Sequence, residues 1–309
     1  MTEAALTLLG VVAPIFALIL AGYVAAATRW VDAAGFAGLN AFAFGLASPA
    51  LLFAGGTAGH GGGGAAALAF FFGVVTLYVA TLAAARRRLG LARAGALALD
   101  VTFGNTVMMG IPLIAAAYGQ PGLAVLLGIL ALHSLVLLGT ATVVAEVAQN
   151  PGARAWPLLR VTAGGVLRNP IVMAVMLALV WSTLQLPVPG WTRATLELLG
   201  AAAPPVSLFC LGASLRGFNA VGAARQTTTT VVLKLAALPV LVWGFGLLLG
   251  LGQLEMAVAV TAAALPTGAN AFLLARRYGT GSDASGAAVL VSTAVSVATL
   301  SWMIWVFRA

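Results

Sequence analysis

At 309 residues, 62% hydrophobic and only 7% charged, the chain is too apolar for a water-soluble globule, in which roughly a quarter of residues carry charge. A net charge of +8 and a pI near 11.1 would point to nucleic acid in a soluble protein. Here the basic residues are scattered through short loops between apolar runs, so membrane topology accounts for them and a nucleic-acid partner is excluded.

A membrane span with its connection takes about 25 to 30 residues, so the length holds around ten spans and little else. Apolar runs bounded by Arg, Gly, Pro or Asn predict spans at 4–27, 34–54, 65–85, 95–118, 122–148, 169–186, 194–215, 227–251, 255–275 and 283–307. The first run lacks a basic leader and continues through Pro14 and Gly22, which reads as a retained helix rather than a cleaved signal. The glycines at 61–64 and the Pro187/Pro189 pair fall between spans, where turn-forming backbone is expected. Cys210 lies alone in an apolar run and reads as a small buried hydrophobe, so no disulfide or cysteine metal centre is expected.

The odd-numbered loops carry Arg29; Arg86, Arg87, Arg88 and Arg93; Arg154, Arg160 and Arg168; Arg216 and Arg225; and Arg276 and Arg277. The opposite side carries only Arg193 and Arg308. Positive charge marks the cytoplasmic side, so both termini are expected outside the cytoplasm of a multi-pass cytoplasmic-membrane protein.

An internal repeat organises the chain. Pro14-Ile15 recurs 156 residues on as Pro170-Ile171, and Pro49, Leu52, Phe53 and Gly56 recur at the same offset as Pro205, Leu208, Phe209 and Gly212. Pro112 recurs 154 residues on as Pro266. Five helices per half make the second half cross the membrane in the opposite sense, an all-α fold of two inverted repeats over 1–150 and 165–309.

The fourth span is interrupted near its middle by Asp100-Val-Thr-Phe-Gly104-Asn105-Thr106-Val-Met-Met-Gly110-Ile-Pro112, and the ninth by Ala264-Leu-Pro266-Thr267-Gly268-Ala-Asn270. Proline removes a donor and glycine lowers the cost of unwinding, so both helices are expected to break. Unwound backbone persists in hydrocarbon only beside protein or a wet cavity, which makes such a place polar by necessity. Half-helices beginning near Pro112 and Pro266 would aim positive dipole ends at the midplane, which suits a carboxylate. Asn105, Thr106, Thr267 and Asn270 would supply neutral hydrogen bonds there.

Asp100 and Lys234 are the two ionisable residues expected deep in the membrane, either paired with each other or serving as a coupling carboxylate and an anion-attracting ammonium. His133 reads as a packing residue, and Glu146 as a side chain reaching water from the end of span five. Asn40 and the Pro49–Phe53 segment, with Pro205, either line the same cavity or pack helices. With no phosphate loop, metal-spaced His/Cys set or Ser/His/Asp set, neither ATP-driven transport nor enzymatic catalysis is expected, and no cofactor or metal.

These motifs resemble the auxin efflux carrier family, which includes plant auxin exporters and bacterial malonate-type carriers. The matching pieces are Pro14-Ile-Phe with Gly22-Tyr23, Asn40-Ala-Phe-Ala-Phe through Pro49-Ala-Leu-Leu-Phe53, Gly104-Asn105-Thr-Val-Met-Met-Gly110-Ile-Pro112-Leu, Lys234-Leu with Pro239, and Leu265-Pro266 with Asn270. The resemblance implies a fold similar to bile-acid sodium symporters and sodium/proton antiporters, with helices four and nine crossing at prolines. It implies a scaffold of spans 1, 2, 6 and 7 that dimerises, and an elevator of spans 3–5 and 8–10 that carries substrate. By that resemblance Asn105, Pro112, Pro266 and Asn270 are crossover and substrate residues. Only about twenty residues, 149–168, join the halves, so the chain is similar to compact bacterial members rather than to plant exporters with a long central loop. The expected function is secondary transport of a small carboxylate driven by membrane potential, proton or sodium. A bile-acid-type sodium symporter or proton antiporter, and a channel or receptor, are the alternatives.

Overall fold

The computed structural model describes residues 3–57, 63–149, 170–216 and 224–308. Gly61 and Gly62 of the glycine run, and the joining segment with Arg154, Arg160 and Arg168, lie outside the described residues. Among the described residues regular structure is helical, and no strand occurs beyond one isolated β-bridge.

In chain order the helices are α1 (Glu3–Ala27), α2 (Ala33–Gly56), α3 (Gly64–Leu89) and α4 (Leu91–Asp100). After a break, helix resumes at Thr106 and continues to Gln149, but Gly119 (φ 65, ψ −161) divides it into α5 (106–118) and α6 (120–149). There follow α7 (Pro170–Thr183), α8 (Gly190–Leu215), α9 (Ala224–Leu248), α10 (Gln253–Ala263), α11 (Ala269–Arg277) and α12 (Ser282–Arg308). Six stretches are long and apolar enough to cross a membrane: Ala33–Gly56, Gly64–Leu89, Thr106–Leu130, Gly190–Leu215, Ala224–Leu248 and Ser282–Phe307. Shorter apolar helices lie at Ala13–Ala27, Val136–Gln149, Met173–Thr183 and Gln253–Ala263.

Local chemistry sets the ends. Asp32 caps α2 by accepting the Gly35 N–H at 2.7 Å. Arg86, Arg87 and Arg88 occupy the last turn of α3, where cations offset the dipole, and Gly90 (φ 76) ends it.

Proline also shapes helix interiors in a regular way. Wide turns at Ala43–Ala47, Thr106–Gly110 and Leu233–Ala237 each precede an X-Pro step, at Pro49, Pro112 and Pro239. At each, the N–H of the next residue, Ser48, Ile111 or Leu238, bonds back five residues instead of four. A proline two positions on cannot donate and its ring crowds the carbonyl four residues back, so the ladder slips by one. Helices α2, α5 and α9 thus bend without unwinding.

Packing follows small residues. At the crossing of α1 and α8, a Cβ on Gly22 would meet the Phe209 carbonyl oxygen at 1.8 Å, and one on Gly212 would meet that of Ile19 at 1.8 Å. Only glycine permits so close a backbone approach, the means by which helices associate where the lipid offers no hydrophobic drive. Gly56 brings α2 onto α7 at Ala178, and Gly73 brings α3 onto α9 at Val242. Helices α4, α5 and α10 are packed centrally, and α10 is buried from Met256 to Ala263.

Candidate functional site

Two helices break side by side in the centre of the molecule. Helix α4 stops at Asp100 and α5 starts at Thr106; α10 stops at Ala263 and α11 starts at Ala269. The open segments pair with each other. The Asn105 N–H donates to the Pro266 carbonyl at 2.8 Å and the Gly268 N–H to the Phe103 carbonyl at 2.9 Å, bridging Gly104 antiparallel to Thr267. Mutual pairing satisfies peptide groups that lipid would leave unmatched. Gly268 is required by space: a Cβ there would lie 2.8 Å from the Phe103 ring and 3.1 Å from the Gly104 carbonyl oxygen.

The half-helices begin near the two prolines, regular α-helix resuming at Ile111 after a wide turn and at Ala269. Pro112 sits one turn inside α5, where it enforces the wide turn at Thr106–Gly110, and α11 begins three residues after Pro266. Proline fixes the hydrogen-bond register; the break itself falls on the Gly104 and Gly268 segments that pair.

The four helix ends are treated unequally. The carboxyl ends are capped by side chains: the Lys234 ammonium, fully buried in α9, donates to the Ala263 carbonyl at 2.6 Å, and the Thr267 hydroxyl donates to the Asp100 carbonyl at 2.9 Å. The amino ends of α5 and α11 open instead toward one small cleft of about 80 Å³, lined by Gly104, Asn105, Thr106, Gly268 and Asn270 with Phe44, Phe103 and Met108. The first amides of a helix have no partner within it and carry the positive end of the dipole. The Asn105 side-chain nitrogen, in a residue only 6% exposed, has no hydrogen-bond partner. The site therefore holds unspent donors and a positive potential without a full charge at its surface, the chemistry of an anion seat.

Asn105, Thr106, Gly104, Gly268 and Asn270 are thus brought together. Thr267 turns away: besides the bond from its hydroxyl to the Asp100 carbonyl, its N–H donates to the Ser292 hydroxyl oxygen at 3.0 Å, and the residue is fully buried. Pro266 contributes through its carbonyl, and Pro112 is buried within α5. Asp100 and Lys234 do not pair with each other. The Asp100 carboxylate, 2% exposed, accepts from Ser285 of α12 at 2.5 Å, while Lys234 holds the end of α10. Asn40 lies apart, on a separate cleft between α1, α2 and α8 with Arg29, Asp32 and Arg216.

His133, read from the sequence as a packing residue, both packs and reaches a residue of the cleft. His133 of α6, 1% exposed, sets Nδ1 3.3 Å from the Thr106 hydroxyl, and its ring lies 4.6 Å from that of Phe103 and 5.9 Å from that of Phe70. Its Nε2 has no partner. A lone histidine in an apolar helix gives no local signal of this, because its partner is 27 residues away along the chain. Glu146 accepts from the Tyr278 hydroxyl at 2.8 Å, tying the end of α6 to the loop after α11. Among the described residues no group of three or more His, Cys, Asp or Glu side chains gathers to hold a metal.

Comparison with known proteins agrees with this architecture. A family model described as "Membrane transport protein" matches residues 7–305. A protein of Rhizobium meliloti (strain 1021) named "Putative malonate transporter" is 28% identical over 315 aligned positions, covering 97% of this chain and 96% of that protein. "Auxin efflux carrier component 6" of Arabidopsis thaliana is 27% identical over 146 positions, 45% of this chain and 26% of that one.

Proposed function

We propose, from the premise that the chain belongs to the membrane transport protein family, the auxin efflux carrier family, that it is a secondary carrier of a small organic anion. The observation that carries this reading is the paired break, whose two helix amino ends open on one cleft lined by Asn105, the buried amide nitrogen of which has no partner. Asn105, Thr106 and Asn270 donate to the carboxylate, and the amides opening α5 and α11 complete its shell. The small size of this cleft favours a compact carboxylate such as malonate over an aromatic one such as auxin.

In this reading the chain has ten spans in two inverted halves within one cytoplasmic-membrane domain, with α4/α5 and α10/α11 each forming one broken span. Apolar helix falls in each of these ten spans, with the stretch Thr106–Leu130 running from the second half of span four across Gly119 into span five, and the repeat of prolines and glycines between halves supports the inversion. Spans 1, 2, 6 and 7 (α1, α2, α7, α8) form a scaffold that dimerises, and the remaining helices carry the site past it as an elevator. The glycine-mediated seams of α1 with α8 and of α2 with α7 support the first group, and that of α3 with α9 the second. In this reading both termini lie outside the cytoplasm, which the arginine distribution supports. Asp100, a carboxyl buried at the edge of the crossing, binds the coupling proton or sodium ion.

Purified protein in proteoliposomes tests the function. Saturable uptake of radiolabelled malonate that shows counterflow supports a carrier, whereas a current that does not saturate identifies a channel and refutes the proposal.

A further inference from the structure

A second cleft, of about 580 Å³, lies away from the crossing between α3, α4 and α9. Its walls are mostly apolar, with Leu77 and Ala84 from α3, Leu97 from α4 and Leu233 from α9 alongside the polar Thr81, Gln226 and Thr229, and its mouth carries Arg88 and Arg225. From Leu77 to Arg88 the α3 face runs roughly 16 Å at 1.5 Å per residue, about half the thickness of a bilayer core. Arg88 stands in the last turn of α3 and Arg225 in the first described turn of α9, so both guanidiniums stand at the same end of the slot. Both are exposed, and neither has an acidic partner among the described residues. Val79 and Val232 on its flanks are exposed apolar side chains, as on a lipid-facing surface.

A slot one leaflet deep, mainly apolar and ending in two guanidiniums without an acidic partner among the described residues, matches an amphiphile with a negative head. Arginine forks bind phosphate oxygens in pairs, and basic residues at a membrane surface draw anionic lipid. We propose that this cleft is a binding site for an anionic phospholipid, with one acyl chain along Leu77, Ala84, Leu97 and Leu233 and the phosphate held between Arg88 and Arg225. The site has consequences for the crossing. Leu97 lies three residues before Asp100, and Leu233 adjoins Lys234, so the lipid supports the capped end of α4 and the helix whose lysine caps α10. The proposal stands independently of which anion is transported.

The test uses the full chain, stripped of lipid in neutral detergent. Phosphatidylglycerol or phosphatidylcholine is added back and read by native mass spectrometry and thermal unfolding. Phosphatidylglycerol is expected to be retained at least fivefold better than phosphatidylcholine and to raise the midpoint. R88Q/R225Q should abolish that preference, and Ala84→Trp, which fills the slot and leaves the arginines, should weaken retention. R276Q/R277Q, which removes the same charge elsewhere, should not. Equal retention of the two lipids, or equal loss in R276Q/R277Q, overturns the proposal. So does competition by soluble glycerophosphate as effective as that of phosphatidylglycerol, which would identify a free phosphate as the occupant.

Discussion

The N–H of Asn105 donates to the carbonyl of Pro266 across 2.8 Å, joining two helix breaks that lie 161 residues apart in the chain. The reciprocal bond from Gly268 to Phe103 makes the two breaks a single unit. Substitutions that separate the strands should therefore damage both half-sites together. Gly268→Ala places a Cβ 2.8 Å from the Phe103 ring; Gly104→Ala meets nothing closer than 3.5 Å. Gly268→Ala is expected to cost roughly 1–3 kcal/mol of stability and most malonate uptake, and Gly104→Ala less than about 1 kcal/mol. Thermal midpoints and proteoliposome flux, compared side by side, check the contrast.

Lys234 caps the carboxyl end of α10 from a fully buried position. Lys234→Met keeps much of the volume but leaves the Ala263 carbonyl without its donor. An unmade buried bond of this kind costs about 1–3 kcal/mol. The expected outcome is a lowered unfolding midpoint together with at least tenfold weaker malonate binding, because the cation also holds the crossing in place. Isothermal titration on the folded fraction separates the two effects.

Asp100 accepts from Ser285, a role that asparagine can retain through its carbonyl oxygen. Asp100→Asn should leave malonate binding within about threefold while uptake stops responding to imposed proton and sodium gradients. Uptake whose ion dependence is unchanged in the variant would remove Asp100 from coupling.

The hydrogen bond between Thr106 and His133 carries the cleft's influence into α6. His133→Phe preserves ring packing against Phe103 and Phe70 but deletes Nδ1. Its expected effect is a three- to tenfold loss of malonate affinity. Thr106→Val deletes the bond to the carboxylate as well as that to His133 and should lose more, and the double variant should lose little beyond Thr106→Val alone. Additive losses would show that the two act separately.

Much of this was legible in the sequence. Gly104-Asn105 and Pro266-Thr267-Gly268 announced where the backbone opens, because no regular membrane helix accommodates those residues cheaply. What composition cannot state is the direction a side chain takes once the helix has broken. Thr267 and Asn105 both carry side-chain donors, yet one caps Asp100 and the other is buried beside the cleft without a partner. Pro112 was read as a start of helix, but its effect reaches back to the wide turn at Thr106–Gly110. Asn40 and His133 were each placed by tertiary packing, Asn40 into another cleft and His133 beneath this one.

The central claim is that the paired breaks seat a carboxylate through Asn105 and Asn270. Isothermal titration of malonate into the purified wild-type protein and into Asn105→Ala and Asn270→Ala, each with its unfolding midpoint measured without ligand, tests it most directly. The account predicts saturable binding to the wild type and losses of roughly ten- to a hundredfold in each variant, the worth of a hydrogen bond to a charged group, with midpoints nearly unchanged. Malonate binding of equal strength in all three proteins would contradict it.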